Sequence, residues 1–184
     1  MGTKEQLKSI NTDLKERVER LSGQELDRCY LCGKCTAGCP VAPYQDIAPH
    51  VVMRLAQWGA EEVLKSRMIW LCAGCKTCAT RCPNGLDTAK VCEALTKVAK
   101  EKGIVADRAA AALRQKFVDI IKRRGRMHEL SLAVSMKIIS GDILEDLDIG
   151  IPMFLKGKFP LKGKQIKDLN NFKKLFNKDG GARK

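Results

Sequence analysis

"CYLCGKCTAGCP", residues 29–40, sets four cysteines and a closing proline into twelve residues, and "CAGCKTCATRCP", residues 72–83, repeats the arrangement. Written out, the runs are Cys29-x2-Cys32-x2-Cys35-x3-Cys39-Pro40 and Cys72-x2-Cys75-x2-Cys78-x3-Cys82-Pro83. Three thiols spaced by two residues let one short loop wrap three corners of a small polyhedral centre. The fourth corner must be reached from elsewhere. Pro40 and Pro83 then redirect the chain, because proline fixes φ and has no N–H to continue the local hydrogen bonding.

This is the bacterial ferredoxin spacing for [4Fe–4S] clusters, in which each iron takes one outside thiolate. In two-cluster ferredoxins the fourth cysteine of each run crosses to the other cluster. The spacing rule therefore assigns Cys29, Cys32, Cys35 and Cys82 to one cluster, and Cys72, Cys75, Cys78 and Cys39 to the other. The intervening residues are small (Gly33, Thr36, Ala37, Gly38; Ala73, Gly74, Thr77, Ala79, Thr80). Small residues let backbone N–H groups approach the sulfurs, one control on reduction potential. A zinc site pairs two Cys-x2-4-Cys hooks across a spacer and has no use for this triple-plus-one pattern. A disulfide knot needs an oxidising compartment.

The N-terminus, "MGTKEQLKSINTDLKERVERL", has no apolar segment behind its first lysine, and no stretch of 18 apolar residues occurs. Neither a secretory signal nor a membrane span is expected. A cytoplasmic location follows as the expectation, and nine cysteines there point to metal ligands before disulfides. The ninth, Cys92, lies in "DTAKVCEALTKVAKEKG" beside the stripe Val91, Leu95, Val98, and reads as a small buried hydrophobe. Tyr30 and Trp70 adjoin the cysteine runs and are expected to pack against the clusters.

The 32 residues from Pro40 to Leu71 are too many for a hairpin. "IAPHVVMRLAQWGAEEVLKSRMIW" reads as two helices. Val51, Val52, Leu55 and Ala56 face one way and Gly59 acts as the break. Glu61 and Glu62 open the second helix, with Val63, Leu64 and Met68 following. A further helix runs from Asp87 to about Lys102. Asp107 caps "RAAAALRQKFVDIIKRRGR", which ends in three cations and Gly125. "MHELSLAVSMKIISG" continues in the same style. No convincing alternating strand appears. The fold class is all-α: a helical ferredoxin-like domain with two [4Fe–4S] clusters, over residues 25–150.

Two extensions flank it. Leu7, Ile10, Leu14, Val18 and Leu21 recur at three- and four-residue intervals. That helix either lies on its own domain or docks a partner, and residues 1–24 are assigned to a docking helix. Residues 151–184 hold ten Lys/Arg against two Asp, +8 of the chain's +13. Two clusters, each −2 with its thiolates, bring the loaded chain to about +9. Basic tails suit nucleic acid or an anionic membrane surface. This one, however, threads Phe154, Leu155, Phe159, Phe172 and Phe176 between its lysines. It reads as a partner-binding tail, with "NNFKKLFNK" as a short helix.

The doubled run, the stretch "IWLCAGCKTCATRCPNGLD", and the later "GRMHEL" and "MFLKGKFPLKGKQIKDL" resemble the C subunits of cytosolic heterodisulfide reductases from methanogenic archaea. The resemblance implies an electron-transfer subunit that is not catalytic alone. Its implied partners are a flavin- and cluster-bearing A subunit and a cysteine-rich catalytic B subunit. The B subunit reduces the coenzyme M–coenzyme B heterodisulfide in methanogenesis, within a larger complex fed by a hydrogenase or formate dehydrogenase. The cysteine motifs are also similar to those of fumarate/succinate, glycerol-3-phosphate and glycolate dehydrogenase iron–sulfur subunits, which keeps those electron-transfer roles as an alternative. A cluster-containing nucleic-acid-binding protein is a second alternative, drawn from the basic tail with its aromatics.

From the residues themselves no catalytic constellation emerges. His50 and His128 have no nucleophile or acid partner in a recognisable motif and read as packing or surface histidines. No G-x-G-x-x-G or P-loop supports nucleotide binding.

Overall fold

In a computed structural model of the chain, the carboxylate of Asp87 accepts the Lys90 amide at 3.2 Å and opens the helix around which the cysteines are arranged. The structure describes residues 12–141, 152–153, 155–156 and 165–178. Among these, the elements are α1 (Thr12–Ser22), α2 (Lys34–Ala37), α3 (Pro49–Gln57), α4 (Met68–Leu71), α5 (Thr77–Arg81), α6 (Thr88–Glu101), α7 (Arg108–Arg124), α8 (Glu129–Ser140) and α9 (Leu169–Lys178). Short 3-10 segments cover Leu26–Arg28, Ala42–Tyr44 and Glu61–Lys65. No described residue lies in a strand, and the protein is all-α as its sequence leads one to expect.

The chain divides into two units, Met1–Asp107 and Arg108–Lys184. The division falls inside the stretch 25–150 assigned above to one domain. All nine cysteines lie in the first unit. There α6 packs against α1, α3, α4 and the Glu61–Lys65 turn. Its stripe of Val91, Leu95 and Val98 is fully buried with Val18, Leu26, Val52, Leu64, Ile69 and Trp70. Side chains of this size each stabilise by roughly 1.5–3 kcal/mol when taken wholly out of water.

In α1, Leu14 and Val18 are buried in their own unit, and Arg17 pairs with Glu101 of α6. Those two apolar residues are therefore not offered to a partner. Leu7 and Ile10 lie outside the described residues.

The second helix expected after Gly59 is split. Glu61–Lys65 is a 3-10 turn and α4 is separate. The break is made by Asp46, whose carboxylate accepts the Ser66 hydroxyl at 3.0 Å, the Arg67 amide at 2.7 Å and the Met68 amide at 2.9 Å. A carboxylate on the free amides of a helix start satisfies donors the helix cannot satisfy itself. It also pins the 40s loop to α4, which runs straight into Cys72.

In the second unit α7 packs against α8 and α9. Gly125 has φ +73°, and a methyl group there would run into the side chain of Ile166. Lys122 lies 5.3 Å over the ring of Phe176, and Phe172 meets Phe176 edge-on at 5.2 Å. This part of the tail is thus folded onto α7 of its own unit. His128 caps α8, its Nδ1 accepting the Ser131 amide at 3.2 Å.

Candidate metal centre

The two cysteine runs have the same backbone. In each, the residue two after the first cysteine takes a positive φ: Leu31 at 61° and Gly74 at 64°. Four after it, Gly33 at 77° and Lys76 at 64° do the same, and these begin α2 and α5. Left-handed residues at two alternate positions re-aim the backbone within each run, as in loops that wrap an anionic centre. Leu31 and Lys76 hold a conformation that costs a side-chain-bearing residue about 1–2 kcal/mol. Such strain collects at functional sites.

α2 packs against α5, which brings the two runs together. A small cavity lies in the first unit, and its lining includes Cys72, Cys75 and Cys78 of the second run with Cys35 and Cys39 of the first. The rest of its wall is largely apolar, from Pro40, Val41, Pro49, Met68 and Ala89. A larger cavity of about 510 Å³, between α7 and α8, contains none of the cysteines, so the thiol chemistry belongs to the smaller one.

Among the described residues no three Cys, His, Asp or Glu groups gather tightly enough to share one metal ion. A four-iron cube spaces its thiolates one per corner. Five thiols on one largely apolar wall, Cys35, Cys39, Cys72, Cys75 and Cys78, supply the four ligands that one such group needs.

Cys32 and Cys75 are exposed, the other six motif cysteines are half-buried, and Cys92 is buried. Burial pushes the thiols of Cys35 and Cys78 up from their ordinary pKa. The Thr77 hydroxyl, 3.4 Å from Cys75 Sγ, pulls that thiol down. Metal binding requires the deprotonated thiolate, which the Thr77 contact favours at Cys75 and burial opposes at Cys35 and Cys78.

Supporting contacts lock the loops. Gln57 Nε2 donates to the carbonyls of Leu26 and Cys29, both at 2.8 Å, and Asn84 donates to the Arg28 carbonyl. Lys76 pairs with Asp87 at 2.6 Å, joining the second loop to the start of α6. Thr36 Oγ1 lies 2.8 Å from His50 Nδ1 and accepts the His50 amide at 3.2 Å, which ties α2 to α3. Both histidines therefore serve as local braces. Gln45 Nε2 donates to Cys39 Sγ at 3.4 Å.

Cys92 is absent from the cavity wall. Its Sγ lies 3.6 Å from Met68 Sδ in the core. Trp70 is buried, with Lys100 5.7 Å over its ring. Tyr30 is 61 % exposed and lies beside Cys32, Cys82 and Cys29: desolvation first, and then those thiols, push its phenol up from the ordinary pKa.

Sequence reasoning missed Gln45, Asp46 and Gln57. None belongs to a spacing motif. Each acts through one hydrogen-bond geometry that only the folded loops create.

Residues 25–86 match the 4Fe-4S dicluster domain family. Two [4Fe–4S] clusters are accordingly the cofactors, as the doubled spacing leads one to expect. Beyond the dicluster domain, the chain is similar to heterodisulfide reductase C subunits. It is 32 % identical over 103 residues to the C subunit of the ferredoxin:CoB–CoM heterodisulfide reductase of Methanosarcina acetivorans, covering 56 % of this chain and 42 % of that one. It is 36 % identical over 99 residues to the iron-sulfur C subunit of the CoB–CoM heterodisulfide reductase of Methanopyrus kandleri, covering 51 % and 52 %. With the C subunit of the H2:CoB–CoM heterodisulfide,ferredoxin reductase of Methanothermobacter thermautotrophicus, identity is 26 % over 99 residues, covering 53 % and 54 %. The chain spans about half the length of the curated relatives it matches.

Proposed function

We propose that this chain is the electron-transfer iron–sulfur subunit of a heterodisulfide reductase complex. When bound, each cluster supplies a one-electron couple. Cys29, Cys32, Cys35 and Cys82 hold one; Cys72, Cys75, Cys78 and Cys39 hold the other. The observation that carries this reading is that one cavity wall gathers Cys72, Cys75 and Cys78 of the second run with Cys39, and with Cys35 beside it, from the first, so the two runs meet as crossed ligation requires. The subunit receives electrons from a flavin-bearing A subunit and passes them to the B subunit that reduces the coenzyme M–coenzyme B heterodisulfide, in the cytoplasm. Support for the partners comes from the names of the relatives, each of them the C subunit of a larger reductase. Among the described residues no helix is long and apolar enough to cross a membrane.

The tail's part is to hold the partner. With Phe172 and Phe176 engaged on α7, the anchors are Phe154, Leu155 and Phe159. Leu155 is 79 % exposed, whereas Phe154 and Phe159 lie outside the described residues. The same engagement weakens the nucleic-acid alternative, which needs free aromatic faces for base stacking.

Anaerobic affinity isolation of the tagged chain from its source organism tests the function. Recovery of a flavin-bearing protein and a cysteine-rich protein, with heterodisulfide reduction in the eluate, is expected. Recovery of a dehydrogenase of the fumarate, glycerol-3-phosphate or glycolate type instead would move the chain to that assembly.

A further inference from the structure

Gln45 lies outside both cysteine runs, yet its side-chain amide donates to Cys39 Sγ at 3.4 Å. A nitrogen–sulfur separation of that size suits a hydrogen bond to a large, soft acceptor. The partner atom of the same amide is unusual. Gln45 Oε1 is buried with no hydrogen-bond partner. A buried acceptor left unsatisfied is costly, and such groups are rare enough in folded proteins that each calls for an explanation. Turning the amide over would aim Oε1 at the sulfur, where it could accept only while Cys39 keeps its proton. The orientation with Nε2 toward Sγ is the one that bonds the thiolate a cluster requires.

The backbone on both sides holds this side chain in place. Before it, the Gln45 amide closes the Ala42–Tyr44 turn on the Ala42 carbonyl at 3.3 Å. After it, Asp46 is tied to Ser66, Arg67 and Met68. Gln45 also lines the cavity shared by Cys39, Cys72, Cys75 and Cys78. A donor fixed at both flanks costs no reorganisation when charge at the sulfur changes.

We propose that Gln45 is a positioning residue that raises the reduction potential of the cluster to which Cys39 contributes. The inference rests on the ligation reading above. Taking up one electron adds one negative charge to the centre and its thiolates. An N–H dipole aimed at a ligand sulfur stabilises the more negative state, so the potential rises.

The test compares the iron-loaded wild-type chain with Gln45→Met, which keeps the length and removes the donor, and Gln45→Asn, which keeps the amide and withdraws it by one methylene. Iron content is measured first, then both midpoints by anaerobic dithionite titration followed by EPR. The expected result is full iron, one midpoint lowered in both variants and the other unmoved. Unchanged midpoints in an iron-replete variant overturn the proposal. So does loss of iron from both variants, which would make Gln45 a structural support. A wild-type chain that binds no cluster fails the ligation reading instead, and the iron measurement separates the two failures.

Discussion

Arg81 occupies the space that a side chain at Gly38 would need. A β-carbon built on Gly38 would lie 2.8 Å from Arg81 Cδ and closer still to its guanidinium. The two residues hold the same place in their runs, one before the fourth cysteine, so the glycine of one run makes room for the arginine of the other.

Gly38→Ala should therefore destabilise the protein by about 1 kcal/mol, because the far end of Arg81 can shift but gives up its seat. Adding Arg81→Ala should remove most of that penalty, so the pair will not add. Urea unfolding of the two single variants and the double variant measures this. An additive double variant would mean that the two residues do not share the space.

Asp46 gives a pH-dependent prediction. Burial works against its charge, but the Arg67 amide, the Ser66 hydroxyl and the Met68 amide outweigh it and hold the carboxyl below its ordinary pKa. A group depressed in this way stabilises the fold fully above its unfolded pKa, near about 3.9. It loses that contribution as pH falls through the folded value. Asp46→Asn should thus lower stability at pH 7 and pH 5 alike, with the gap to wild type closing below about pH 4. A gap independent of pH down to about 3 would show that the carboxylate charge is not what holds α4.

Cys92→Ala should leave both clusters in place. The residue is buried beside Met68 and away from the cavity. Deleting one buried sulfur creates a small void and should cost on the order of 1–2 kcal/mol. Thermal unfolding reads the cost and iron analysis reads the clusters. Iron lost in proportion to Cys92 would make it a ligand.

The cofactor was legible in the sequence because the spacing of Cys29, Cys32, Cys35 and Cys39, used twice, is itself the geometric requirement of a cube. The helices were legible where capping chemistry is local, as at Asp87, Gly59 and Gly125. Sequence did not carry the split between Glu61–Lys65 and α4, since it depends on Asp46 reaching over from the 40s loop. Nor did it carry the matched strain of Leu31 and Lys76. The glycines of the two runs sit at opposite positions, Gly33 in one and Gly74 in the other, and only the backbone angles reveal a common shape. Gln45 was invisible for the same reason: its role is a distance to one sulfur. The tail's mixture of lysines and phenylalanines reads as partner-binding, whereas the packing of Phe172 on Phe176 and of Lys122 over Phe176 exists only once the tail is folded.

The central claim is that the fourth cysteine of each run serves the other run's cluster. Cys82→Ala, loaded with iron anaerobically and examined by EPR with both clusters reduced, tests it most directly. Wild type should contain about eight irons. The variant should lose or alter the signal of the cluster held by Cys29, Cys32 and Cys35, identified by its disappearance in Cys32→Ala, and keep the signal that depends on Cys75. Loss of the Cys75-dependent signal in Cys82→Ala, with the Cys32-dependent one intact, would contradict the account.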